Sequence, residues 1–218
     1  MKNFVVIGLG NFGFNIVQNL AKKGKNVLAI DSDPEKVNNV KYIASDAVVG
    51  DAKQIEFLRE FIDTSVDAII ISTGLNKFDS ILAVHHLNMM GIKNIIVKAV
   101  DDTHAQILKI MGAAEIVFPE KDIADWWANK LADPNLIEHL PLASDYSIVE
   151  FACPDGFTGK SLKDLQLRTK YKVLLIAVKD ILKDEFLLMP EANYKLKPDT
   201  ILLLMGKKSD IRRMKLKP

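Results

Sequence analysis

The segment Gly8-Leu9-Gly10-Asn11-Phe12-Gly13 sets three glycines at the G-x-G-x-x-G spacing. That spacing carries chemistry only where it follows a strand and opens a helix. Here the apolar run Phe4-Val5-Val6-Ile7 comes before it and a helical stretch, Phe12 to Lys23, comes after. In that context Gly8 permits a tight turn, Gly10 lets the backbone approach phosphate, and Gly13 lets helix pack on strand. The free amides and the positive end of the helix then favour an anion. Asp31 closes the second strand-like run, about 20 residues further on, where a carboxylate accepts hydrogen bonds from ribose hydroxyls and repels a 2′-phosphate. Ser32, next to it, joins the same candidate set. Gly50-Asp51-Ala52 follows the third strand, where the turn flanks adenine; Asp51 serves equally well as the cap of the next helix. Ser72-Thr73-Gly74 ends the fourth strand, on the phosphate or second-nucleoside side. Lys98 ends the fifth, facing either a phosphate or solvent.

An enzyme needs an acid, a base or a nucleophile poised by a second group. The sequence offers no such constellation. His85 and His86 are adjacent on a helix and point to different faces, so they make no metal pair. His104 and His139 lack partners at ligand spacing and read as structural. Cys153 is the only cysteine, which excludes an internal disulfide and a multi-cysteine metal site. Trp126 and Trp127 stand side by side on a helix, and at least one reads as an interface anchor.

These residues need a scaffold, and the first half of the chain provides its pattern. Strand-like runs over Phe4–Gly8, Asn26–Asp31, Ala47–Gly50, Ala68–Ser72, Asn94–Ala99 and Ile116–Phe118 alternate with helical segments. The helices are Phe12–Lys23, one opened by Asp33-Pro34, Gln54–Ile62, Phe78–Met90, Thr103–Met111 and Lys121–Leu131. Strict β-α alternation predicts an α/β fold, a doubly wound parallel sheet with right-handed crossovers. Ligands of such sheets sit at the carboxyl ends of the strands. Asp133-Pro134-Asn135 breaks the rhythm. The predicted organisation is a Rossmann-type nucleotide-binding domain over 1–132, a linker over 133–145 and a small α+β domain over 146–218. In the latter, strands are expected at Ser147–Ala152, Val173–Lys179, Glu185–Met189 and Thr200–Met205, with helices at Ser161–Leu167 and Asp210–Leu216.

Apolar residues make up 49% and charged residues 26% of the 218, an ordinary globular balance, and the net charge of +1 gives no field suited to nucleic acid. No signal peptide is evident after Met1, and the apolar runs are far shorter than the roughly 20 residues that span a bilayer. The expectation is a cytoplasmic protein that reaches a membrane only through a partner. The basic stretch from Lys207 to Lys217 reads as a solvated helical face or as a contact to an acidic partner or membrane surface.

The order of motifs resembles RCK domains, the TrkA-N plus TrkA-C regulators of bacterial potassium channels and Ktr- or Trk-type uptake systems. The motifs are the glycine segment, Asp31, Gly50-Asp51-Ala52, Lys98-Ala99, Met111-Gly112-Ala113 and Pro119-Glu120-Lys121-Asp122. The second domain, with Leu165 to Tyr171, Pro190 and the Thr200-to-Gly206 strand, resembles the C-terminal RCK subdomain. The resemblance implies a homo-oligomer, commonly an octameric ring of such domains, under a membrane potassium-translocating subunit. ATP and ADP would compete for the Rossmann site, the first favouring conduction. Glu120 would help hold a divalent cation, Mg2+ or Ca2+, at the nucleotide phosphates, in place of a simple role at a helix N-terminus. Relatives often carry arginine where this chain has Asn11. Cyclic di-AMP would bind the second domain through Arg168, with Leu174 in place of a polar residue and Pro190 nearby.

Two other readings compete with this regulator. One is an NAD-dependent oxidoreductase, disfavoured by the missing acid–base pair and the small second domain. The other is a redox-sensing transcription factor, which would need a winged helix and a basic reading helix.

Overall fold

The computed structural model describes residues 3–73, 76–132, 136–142 and 145–215, apart from the side chains at 129, 136–139, 141, 212 and 215. It divides into two compact units, Met1–Asp122 and Ile123–Pro218.

The first unit alternates β1 (Asn3–Ile7), α1 (Asn11–Lys22), β2 (Asn26–Asp31), α2 (Pro34–Val40), β3 (Asp46–Val49), α3 (Ile55–Phe61), β4 (Ala68–Ile71), α4 (Lys77–Met89), β5 (Ile95–Lys98), α5 (Asp102–Met111) and β6 (Glu115–Val117). The helix that follows, α6 (Pro119–Ala132), runs from this unit into the next. The strands form one sheet in the order β3-β2-β1-β4-β5-β6, and every pairing is parallel. Local chemistry sets the ends of several elements. Asp33 caps α2 by accepting from the Glu35 amide, with Pro34 at the first helical position. Gly112, in a left-handed conformation, closes α5.

Neighbouring residues of a strand enter different cores. Val5, Ile7, Ile69 and Ile71 pack with Leu58, Val84, Leu87 and Leu108 on one face. Val6, Ala29 and Ile70 pack with Val17, Val37 and Val40 on the other. A sheet covered on both faces explains why Ala68–Ile71 is apolar without alternation. Strand order reverses beside β1, whose neighbours β2 and β4 lead to opposite edges, so a crevice opens at the carboxyl ends there.

The second unit is antiparallel, in the order β10-β9-β11-β8-β7. Its strands are β7 (Leu136–Pro141), β8 (Tyr146–Ala152), β9 (Leu174–Asp180), β10 (Glu185–Leu188) and β11 (Thr200–Lys207). Two short helices, α7 (Leu162–Leu165) and α8 (Leu167–Lys170), and a terminal α9 (Lys208–Lys215) complete it. Strands β8 and β11 alternate buried and half-exposed residues, and one face carries Val149, Phe151, Leu202 and Leu204 against Phe157, Tyr171, Ile211 and Met214. That is a sheet with one covered face.

Three features differ from the expectations. Residues 136–141 of the expected linker form β7, paired with β8 from Leu136↔Phe151 to Pro141↔Ser147. The single helix expected at Ser161–Leu167 is broken at Gln166, whose φ of 49° is left-handed. The division into compact units falls inside α6, between Asp122 and Ile123, and not after residue 132. Asp133-Pro134-Asn135 lies outside the described residues.

Candidate functional site

The crevice beside β1 has a volume of about 210 Å³. Gly8 and Gly10, Asp31 and Ser32, Asp51 and Ala52, and Thr73 all line it. These belong to four separate loops that only the parallel sheet brings together.

The three glycines do different work. Gly8 has φ of +90°, and an added Cβ would stand 2.3 Å from the Ser72 carbonyl oxygen. Gly13 is buried, with a Cβ position 1.9 Å from the Gly8 carbonyl oxygen. These two therefore close the turn and seat α1. Gly10 has φ of −66°, which any residue adopts, and nothing lies within 4 Å of its Cβ position. Its bareness leaves room in the crevice. As the N-cap of α1 it offers no side chain to the helix, and the first turn carries no acid. The amides of that turn are thus open to an external anion.

Asp31 is 9% exposed, and backbone amides hold both of its oxygens. Leu9 N–H donates to Oδ2 at 2.6 Å and Asp33 N–H donates to Oδ1 at 2.9 Å. One carboxylate thereby ties the glycine turn to the start of α2. Each oxygen retains further acceptor capacity. Across the crevice, Thr73 Oγ1 is buried with no hydrogen-bond partner among the described residues. Asp51 accepts from the Lys53 amide at 2.9 Å, so it caps its own turn while lining the crevice.

Three charged side chains of this wall were not read from the sequence: Lys36, Lys53 and Asp79. Lys36 Nζ lies 3.8 Å from Asp31, and Lys53 Nζ lies 3.6 Å from both Asp51 and Asp79. Lys36 was legible in principle, since it occupies the first turn of α2 directly after Asp31. Lys53 and Asp79 meet only through the fold.

Other candidates lie elsewhere. Asn11 is exposed on the first turn of α1, and Phe12 packs toward the apolar core. Lys98 and Glu120 form an ion pair with each other and do not line this crevice. The Lys98 ammonium beside Glu120 holds that carboxyl below the usual range. Gly74 lies outside the described residues. Among the described residues no group of three or more His, Cys, Asp or Glu side chains converges as a metal site.

In the second unit, Arg168, Leu174 and Pro190 line one cavity of about 620 Å³, with Leu162, Gln166 and Leu167. Of the other residues singled out, Trp126 and Trp127 stack edge-to-face at 4.9 Å, and Trp127 is exposed. Burial raises the Cys153 thiol above its ordinary value, against the reactive thiolate form. The His139 side chain is outside the described set.

Sheet order and crevice together define a two-domain protein whose N-terminal unit is a Rossmann-like parallel sheet with a candidate ligand crevice. The TrkA-N domain family matches residues 4–119 and the TrkA-C domain family matches residues 148–217, and the chain belongs to this family. It is 36% identical over 212 residues to the Ktr system potassium uptake protein C of Bacillus subtilis (strain 168), covering 97% of this chain and 95% of that one. It is 31% identical over 205 residues to the Ktr system potassium uptake protein A of Vibrio alginolyticus, covering 94% and 92%. The crystal structure of the GsuK RCK domain superposes with a TM-score of 0.65 at 16% identity. That match covers 99% of this chain but 47% of the other, so the chain spans about half its length, and the likeness is one of fold. No described helix is long and apolar enough to cross a membrane.

Proposed function

We propose that this chain is a nucleotide-binding regulatory subunit of a potassium uptake system. In this reading an adenine nucleotide occupies the crevice beside β1. Its identity biases the state of a ring of such chains, octameric by family resemblance, on a membrane potassium-translocating subunit. The chain would work in the cytoplasm, at the inner face of the membrane, held there by that partner. The observation that carries the reading is Gly10. Its backbone is ordinary and its Cβ position is empty, so glycine is useful there only for the space it leaves. The uncapped amides of α1 supply the anion site, and Asp31 stands where a ribose would lie. Full-length similarity to Ktr system potassium uptake proteins supports the same assignment.

The crevice is smaller than the roughly 300–1,000 Å³ of most ligand pockets. A nucleotide would therefore project its phosphates from the open side, past Asn11. ATP and ADP are the primary ligands of this reading. NAD or NADH is the second, and the neutrality of Asn11 favours it, since a dinucleotide carries less phosphate charge than ATP. The turn Asp51-Ala52 with Ser32 would flank the adenosine, and Thr73 with Gly74 the phosphate side. Lys98 and Glu120 would reach the phosphates only after exchanging their mutual ion pair. A Mg2+ or Ca2+ ion at Glu120 would take its remaining ligands from phosphate and water. The cavity at Arg168, Leu174 and Pro190 is the proposed site for cyclic di-AMP, with the arginine pairing a phosphate. The chain performs no reaction of its own in this scheme.

Calorimetric titration with ATP, ADP, NADH and cyclic di-AMP, with and without Mg2+, tests it. The expected result is saturable binding of one adenine nucleotide, abolished by Gly10→Ala in a protein that remains folded. Absence of binding by all four overturns the reading. NADH turnover with a carbonyl substrate would replace it with the oxidoreductase.

A further inference from the structure

His104 is 2% exposed, and both of its ring nitrogens are engaged. The Val100 amide approaches Nδ1 at 3.3 Å, and Nε2 lies 3.0 Å from Ser80 Oγ. The Ser80 hydroxyl gives its proton to the Lys77 carbonyl at 2.9 Å. Ser80 can therefore only accept from His104, so the proton sits on Nε2 and Nδ1 is the acceptor for Val100. The two ends of the chain of bonds fix the same neutral tautomer. The loop closes through a second route. Asp101 caps α5 by accepting from the His104 amide at 2.8 Å, and it also pairs with the Lys77 ammonium. Lys77, Ser80, His104 and Asp101 thus form a ring of interactions joining the first turn of α4 to the first turn of α5. Asp79, which lines the crevice, sits inside the clasped turn.

We infer that His104 is a positioning residue for the crevice, holding the first turn of α4 and Asp79 in place only while its ring is neutral. A proton on Nδ1 would set two donors, the ring N–H and the Val100 N–H, against each other. The contact that orients the imidazole would be lost. This rests on the nucleotide reading of the crevice for its functional half alone.

Asp101, before α5, and a hydrogen bond to the Lys77 backbone favour the protonated ring, whereas the Lys77 ammonium, on α4, opposes it. Burial is the largest influence and lowers the imidazole below its ordinary value. Asp79 is occupied by Asn76 and Lys53, and Lys98 by Glu120. A lowered histidine value means that the unfolded chain takes up the proton first. The clasp's contribution is therefore complete above about pH 6.5 and declines as the pH falls below it.

The test compares the full chain with His104→Gln, whose amide donates to Ser80 but does not titrate in this range. Hydrogen exchange of the first-turn amides of α4 and titration with ADP are read from pH 7.5 to 5.5. Relative to the intrinsic exchange rate at each pH, protection of these amides should fall on acidification in the unaltered chain and stay flat in His104→Gln. ADP affinity of the unaltered chain should fall relative to the variant, by at most about tenfold per pH unit for one proton. The terminal phosphate of ADP titrates alike against both proteins, so the difference between them isolates the ring. Ser80→Ala, lacking the acceptor, should show low protection at every pH. Parallel profiles for the unaltered chain and His104→Gln would overturn the inference. Failure of ADP to bind either protein at any pH would overturn the nucleotide reading instead, and the exchange profiles would still decide the clasp.

Discussion

Two glycines two positions apart make opposite demands. Gly8→Ala forces a Cβ against the Ser72 carbonyl at a φ of +90°, so urea unfolding should register a loss of about 1–3 kcal/mol or more. Gly10→Ala meets open space and should leave the urea midpoint nearly unchanged while removing ligand binding. If both substitutions behaved alike, the separation of turn from binding surface would be wrong. Asp31→Ala should weaken nucleotide affinity by about 1–3 kcal/mol in calorimetry. It should also lower stability, because the Leu9 and Asp33 amides lose their acceptor. The glycines and Asp31 were legible because their spacing is set by one local turn and one strand. Lys53 and Asp79 were not, since one stands on the loop before α3 and the other on the first turn of α4, and they approach only across the folded crevice. Lys98 was legible from its place at a strand end, and Glu120 only through the family resemblance. Their sequence gave no sign that they would neutralise each other.

At the scale of elements, the α/β alternation was readable throughout the first unit because short apolar runs alternate with helical segments, some opened by a cap such as Asp33 or closed by Gly112. The second unit was harder. Gln166 interrupts a helix in a left-handed conformation that only tertiary contacts enforce, and no glycine or proline announced it. Gln166→Gly should relieve that strain and raise stability by up to about 1 kcal/mol in chemical denaturation. The preceding turn is held by a capping box in which Ser161 Oγ accepts from the Asp164 amide at 3.2 Å and the Asp164 carboxylate accepts from the Ser161 amide at 3.3 Å. Ser161→Ala should cost about 1 kcal/mol by the same measurement. No loss would mean that α7 is maintained by packing alone. Strand β7 escaped sequence reading because Pro134 precedes it and Pro141 ends it, which suggests an irregular connection. Proline is nonetheless compatible with an edge strand, and β7 is the edge.

At the scale of the whole molecule, β7 decides where the C-terminal unit can be separated. A fragment over 123–218 should unfold cooperatively. One over 146–218 exposes the edge of β8 and loses several ladder hydrogen bonds of about 1 kcal/mol each, so its thermal midpoint should be far lower. Equal midpoints would mean that β7 is dispensable. The first unit carries a different consequence. Asp31 is fastened by amides from two segments before any guest arrives. A nucleotide pinned there at its sugar could not signal by moving that carboxylate. News of which nucleotide has come aboard must then be told by its far, phosphate-bearing tail, where the protein is least committed in advance.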